Sequence, residues 1–176
     1  MDSMRSALYN IRRSGMMDID ALEEIERRCF QYGKFSRSVL TGFLKHPFSV
    51  TLVAENERIF ASEIIMFHSG SLEIASIAVI PEMRRLGVAQ ALLAEAEKIG
   101  AGRGASSITL HVDTGNHGAI GLYTGEGFRT EMTVSDYYGN GKDAIYMVKD
   151  ITKARGHATD REMRTSRNSQ NIERRV

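Results

Sequence analysis

A chain of 176 residues is long enough for one domain with a real core, and 42% hydrophobic with 26% charged residues is the balance of a soluble globular protein. No run of about 18 apolar residues occurs, which excludes a helical membrane span, and Met1-Asp2-Ser3-Met4-Arg5 lacks the apolar stretch of a signal peptide. The single cysteine, Cys29, excludes an internal disulfide framework and a thiolate zinc cluster, and fits a reducing, cytoplasmic compartment.

Residues 7–13 alternate as a first strand. Asp20 and Glu23 have the spacing of a capping box, opening a helix with Ala21, Leu22, Ile25 and Cys29 on one face. Cys29 at that spacing reads as a small buried side chain rather than a nucleophile. The period then breaks at Phe30-Gln31-Tyr32-Gly33-Lys34-Phe35, whose three aromatics suggest a loop with something to cover. Ser36 is placed to cap a short second helix reaching about Lys45. Strands follow over 48–54 and 59–67, joined by the turn Glu55-Asn56-Glu57, and a third runs over 72–80. Next come a helix over 87–101, a strand over 106–113, a helix near 117–125, and strands over 129–137 and 143–149 flanking a glycine-rich loop, Tyr138-Gly139-Asn140-Gly141-Lys142. The expected class is α/β (α+β), with a mixed, mostly antiparallel sheet of about seven strands, one parallel step at its centre, and four helices. Residues 1–150 form the single domain. Residues 151–176 carry about +4 of charge against about −3 for the rest, have few apolar residues, and are expected to be disordered. A basic arm touching RNA is the functional alternative for this tail, and no other nucleic-acid signal is present.

The central segment carries the chemistry. A helix that starts straight after a strand presents backbone N–H groups without intrahelical partners, and with the helix dipole these attract phosphate. In Arg84-Arg85-Leu86-Gly87-Val88-Ala89 the arginines add charge, and Gly87 and Ala89 allow close approach to the backbone. Neither a Walker sequence nor a G-x-G-x-x-G after the first strand is present. His111 and His117 do not have metal-pair spacing, so no metal site is expected.

That segment, with Leu110-His111-Val112, Asn116, Ala119-Ile120, Leu122-Tyr123 and Gly127-Phe128, resembles the GNAT superfamily of acetyl-CoA-dependent N-acetyltransferases. Tyr137-Tyr138 and Asp143-Ala144 look like the ending of its ribosomal-protein and N-terminal acetyltransferase branch. The resemblance spans about residues 7–149. It implies a splay between the central strands, with a pantetheine arm bonded to the backbone around Ile77, Ala78 and Val79. A diphosphate would sit on the turn and helix start formed by Arg84, Arg85, Leu86, Gly87, Val88, Ala89 and Gln90. Asn116 would hydrogen-bond the cofactor, and Tyr123 would lie beside the sulfur as general acid. A core tyrosine on an amphipathic helix is the plain alternative for Tyr123. His111 would be the base, as in relatives with Leu-His-Val; an imidazole titrating near ~6.5 suits that work. Packing within a strand is its alternative. Glu73, whose strand parity matches Ile77 and Val79, would orient His111 or hold a relay water.

The implied reaction is acetyl transfer by direct attack of an amine. Neutralising an α-amine of pKa near ~8 costs about 1 kcal/mol at about pH 7.4 and a lysine near ~10.4 about 4, so a histidine base suits a peptide N terminus better. Phe30, Tyr32, Tyr137 and Tyr138 would flank that acceptor, a protein or peptide N terminus, with that of a ribosomal protein as one candidate. Acetylation of a small amine or a lysine side chain is the alternative within the fold. An acyl-CoA sensor is a third reading, which the presence of both Tyr123 and His111 argues against.

Overall fold

The computed structural model describes residues 9–152. The expected tail falls almost wholly outside that range, as do Ala7 and Leu8 of the expected first strand. Seven strands form one sheet in the order β1-β2-β3-β4-β5-β7-β6. They are β1 (Asn10–Arg13), β2 (Ser49–Glu55), β3 (Ile59–His68), β4 (Ser71–Val79), β5 (Ser107–Asp113), β6 (Arg129–Val134) and β7 (Ala144–Asp150). Every pairing is antiparallel except β4 with β5. Among the described residues four α-helices complete the fold: α1 (Ile19–Cys29), α2 (Arg37–Lys45), α3 (Val88–Gly102) and α4 (His117–Gly125). The class, the strand count, the single parallel pair and the four helices are those the sequence implies.

The helices separate by the apolar stripes they carry. Leu22 of α1 and Leu40 of α2 pack with Val53 and Ile64 on one face of the sheet. The longer α3 lies against β2, β3, β4 and β5 with Leu92, Leu93 and Ala96 buried. At its far end a Cβ on Gly100 would meet Leu72 at 3.2 Å, so this glycine lets helix and strand touch. Burial of such side chains, at about 1.5–3 kcal/mol each, is the main source of stability. Ile151, 2% exposed, still packs in the core, and its N–H bonds Ser106 O at 2.9 Å. Among the described residues no helix is long and apolar enough to cross a membrane.

Three local expectations need correction. The capping pair is not Asp20 and Glu23. The chain turns through a short 3₁₀ segment at Met16–Asp18, where Asp18 accepts from Gly15 N at 2.9 Å, and α1 starts at Ile19. Asp20 and Glu23 instead reach Arg37 at 2.6 and 2.9 Å, tying α1 to α2. The strand expected over 129–137 stops at Val134, because Asp136 enters the left-handed region and its carboxylate accepts from Gly141 N, closing a loop. The third correction is a bulge. Ile64 pairs with Ser76 and Ile65 with Ile74, leaving Ala75 unpaired. An extra residue reverses the in–out phase of a strand. Glu73 therefore shares a face with Met66 and His68, whereas Ile77 and Val79 share the opposite face with Glu63. The parity that linked Glu73 to Ile77 and Val79 does not hold.

Candidate active site

The parallel pair forks. β4 and β5 are hydrogen-bonded from Ser71↔Ser107 to Ile74↔Leu110, and no pairing follows. Beyond that point Ala75–Val79 and His111–Asp113 diverge, leaving backbone polar groups that need partners. One is found within the chain: Arg84 Nε donates to Val79 O at 2.9 Å. The bulge at Ala75 lies where the pairing ends, so the irregularity and the fork coincide.

On one side of the fork lies a cleft of about 490 Å³ walled by Ile77, Ala78, Val79, the Arg84–Gln90 turn, Asn116 and Tyr123. The turn enters α3 through Arg85 at φ 61° and Gly87 at φ 77°, both left-handed. Glycine takes that conformation freely, while a side chain there costs about 1 kcal/mol, so Arg85 holds mild strain. No side chain caps α3, so the first N–H groups of the helix are open toward the cleft. Left-handed turns and uncapped helix starts both gather N–H groups into an anion-binding concavity. Leu86 is the exception in this run: it is 53% exposed and stands outside the cleft wall. Asn116 caps α4, its Oδ1 accepting from Ala119 N at 3.1 Å, which leaves its NH₂ group for another partner. Cys29 and Phe30 also line the cleft; burial pushes the Cys29 thiol up, which keeps it a weak nucleophile.

A larger cleft, about 950 Å³, opens on the α1–α2 face. It contains Glu73, His111, Phe30, Tyr32, Tyr137 and Tyr138, the residues the sequence reading placed at the base and the acceptor. His111 stacks on Tyr137 at 4.3 Å and 11°, and leans on Tyr146 at 5.0 Å. Its Nδ1 is buried without a hydrogen-bond partner, with Glu73 Oε1 at 3.8 Å as its nearest charge. Burial lowers the imidazole pKa below its usual 6.5 and outweighs the opposing pull of Glu73, so the ring is neutral at pH 7. Tyr32 is held by a short hydrogen bond to Asp113, with Lys142 Nζ 4.1 Å above its ring. Tyr138 donates to His111 O at 3.4 Å; burial and its Tyr137, Asp113 and Tyr32 neighbours push its phenol up to about 12. Gly33 passes close by at φ 67°, where a Cβ would lie 3.5 Å from the Tyr138 ring.

Tyr123 belongs to both walls. It is 6% exposed and packs edge-on against Phe128 at 5.7 Å. Burial first, then the nearby Glu63 carboxyl, raises its pKa well above the ordinary 10, so the phenol stays a proton donor. The structure thus brings Tyr123, His111 and Glu73 to one fork, and Ile77, Ala78, Val79, Asn116 and the helix turn to the adjoining cleft. Among the described residues no group of three or more His, Cys, Asp or Glu is arranged to hold a metal ion.

Four contributors escaped the sequence reading. Glu26, buried in α1, accepts from Phe35 N at 2.9 Å and Ser76 Oγ at 3.2 Å, tying the 30–35 loop to β4. Asp113 fixes Tyr32, and His68 bonds Glu73 at 3.0 Å. Glu63 is fully buried, and neither carboxyl oxygen has a partner. Only the last left a signal, a lone acid in the apolar run of β3.

The acetyltransferase (GNAT) family pattern matches residues 19–128. An uncharacterised N-acetyltransferase of Methanocaldococcus jannaschii is 33% identical over 148 residues, 83% of this chain and 94% of the relative. The catalytic subunit NAA10 of the N-terminal acetyltransferase A complex of Arabidopsis thaliana is 29% identical, covering 84% and 80% of the two chains. The crystal structure of the ribosomal-protein-S18-alanine N-acetyltransferase from Escherichia coli superposes with a TM-score of 0.76 at 25% identity, over 82% of this chain and 94% of that one. With the fork, the uncapped helix start and these likenesses together, the chain belongs to the GNAT family of acetyltransferases and is an acyltransferase.

Proposed function

We propose that the protein moves an acetyl group from acetyl-CoA to the α-amine of a peptide or protein N terminus. One observation carries the reading: Tyr123 stands at the junction of the two clefts, with His111 facing the second. The smaller cleft fits the co-substrate. Its left-handed turn and uncapped α3 suit a diphosphate, and the unpaired edges of the fork suit the amides of a pantetheine arm. The larger cleft takes the acceptor. Its aromatic walls can grip the first residues of a peptide, and its volume exceeds what a small amine needs. Neutral His111 takes a proton from the entering ammonium, the free amine attacks the thioester carbonyl, and Tyr123 protonates the departing sulfur. Holding both reactants at one fork supplies much of the rate. Relatives whose names specify N-terminal or ribosomal-protein acetylation support this acceptor.

The test is thiol release from acetyl-CoA with a peptide library varied over the first four positions, alongside N-blocked, lysine-bearing controls. Turnover that depends on a free N terminus is expected. Equal turnover of blocked peptides would move the reading to a lysine acceptor.

A further inference from the structure

Resting on the acetyl-transfer reading above, we propose that His68 is the outlet through which the proton stripped from the acceptor amine leaves the protein, with Glu73 as the bridge from His111.

The bookkeeping requires such an outlet. A substrate ammonium carries three hydrogens on nitrogen and the amide product carries one. As the C–N bond forms and the C–S bond breaks, one of the two lost protons ends on sulfur by way of Tyr123. The other must reach water once per turnover. His111 can accept it but is poorly placed to release it, since its side chain is only 21% exposed and its Nδ1 is buried. Glu73 stands beyond that nitrogen, with Oε1 3.8 Å from His111 Nδ1 and Oε2 3.0 Å from His68 Nε2. The side chain of His68 is 52% exposed. The three residues therefore form a line of falling burial from the fork to solvent.

The topology makes this line. The Ala75 bulge puts Glu73 on the face of Met66 and His68, and the parallel pairing of Glu73 with Thr109 puts His111, two residues on, on that face too. His68 ends β3, so its ring lies at the rim of the sheet, where water is available. The gap of 3.8 Å exceeds hydrogen-bond length and, with Nδ1 closed to water, is closed by a small rotation of the Glu73 carboxylate. Nδ1–H of the His111 imidazolium gives its proton to Glu73 Oε1, and the carboxyl rotates to present that O–H to His68 Nε2, which is unprotonated in the Nδ1–H tautomer. His68 Nδ1 then loses its proton to water. Rotation of each ring, with proton exchange at the exposed His68, restores the starting tautomers before the next turnover. Charge is conserved at each transfer, and no oxidant or further reactant is needed.

The other titratable groups facing the line are Glu26 and Cys29 from α1, Tyr32 from the 30–35 loop, Asp113 from β5, Tyr123 from α4, Tyr146 from β7, and Tyr137, Tyr138 and Lys142 from the β6–β7 loop. Of these, Glu26 is spent on Phe35 and Ser76, and Asp113 on Tyr32 and Gly115. Neither offers His111 a second route.

The experiment compares wild type with His68→Gln, which keeps a hydrogen-bonding side chain but cannot carry a proton, in weak buffer at pH 7. His68→Gln should lower kcat about tenfold, the low end of general acid–base effects being about 10² for the base itself. Adding imidazole or phosphate as a mobile proton carrier should restore kcat toward wild type, with the KM for acetyl-CoA unchanged. Full turnover of the variant in weak buffer, or a loss that no carrier restores, overturns the proposal; the second result would mean that His68 only props Glu73. Imidazole NMR of the ligand-free protein gives an independent reading. His68→Gln should move the His111 titration midpoint upward, because Glu73 is then shared with no second ring, and an unmoved midpoint overturns the bridge. Should wild type fail to acetylate any peptide N terminus, the acceptor assignment falls while the NMR result still decides the coupling.

Discussion

Tyr123 and His111 line the same fork from opposite surroundings. Tyr123 is 6% exposed, sits against Phe128, and has its pKa raised by burial. His111 lies in an open, aromatic and acidic cleft, half-desolvated, with a carboxylate in reach. A donor must hold its proton until the sulfur leaves, so a dry site helps it. A base must take a proton and lose it each cycle, so complete burial would trap the charge. The difference in environment matches the two roles proposed above, donor for Tyr123 and base for His111.

Three measurements would break or sharpen this contrast. The largest effect is expected from Tyr123→Phe, which removes the buried hydroxyl and keeps the ring. Loss of about 10²–10⁴ in kcat, equivalent to about 3–5 kcal/mol of barrier, is expected, with acetyl-CoA binding intact by thermal shift. A drop under threefold would make Tyr123 a packing residue. Next is His111→Ala, expected to cost about 10² in kcat/KM and to remove the acidic limb of the pH–rate profile. The sign follows from the lowered pKa: the wild-type ring is neutral and active at pH 7, and activity falls only as pH drops through a value below 6.5. An acidic limb that survives in the variant would give the limb to another group.

The smallest effect tests the dry face alone. Glu63, fully buried with no partner, has its pKa pushed up to about 8. Its folded value lies above its unfolded one, so folding is favoured with the proton on, and stability is lost as pH rises from about 4.5 through about 8. Glu63→Gln should therefore raise Tm at pH 9 by about 3 °C or more, the equivalent of about 1 kcal/mol in a domain of this size, and change it little at pH 5. A Tm shift equal at both pH values would show that the carboxyl is neutral or solvated throughout.

Much of this arrangement is readable from the chain, and the unreadable parts share a cause. Alternating apolar residues place the strands, and Arg84 to Gln90 announces an open helix start because Gly87 suits a left-handed entry and the arginines add positive charge beside it. Ala75 announces nothing. A bulge is decided by the partner strand, and no residue type in Ile74-Ala75-Ser76 separates it from ordinary alternation. Glu26 and Asp113 escape for a similar reason: their partners, Phe35 with Ser76 and Tyr32, lie 9 to 81 positions away along the chain. Asp20 and Glu23 mislead in the other direction, since a capping spacing is also the spacing of two acids that can reach one arginine, and Arg37 takes both.

The single unpaired alanine of β4 acts as a phase shifter between two compartments. Upstream of it the strand offers an acid to the larger cleft; downstream it turns the side chains of Ile77 and Val79 to the other layer. Deleting that one residue would rotate everything before it by half a turn, sending Glu73 into the apolar interior and Ile74 out among the tyrosines. The length of one strand, counted to the residue, thus sets which chemistry each chamber receives.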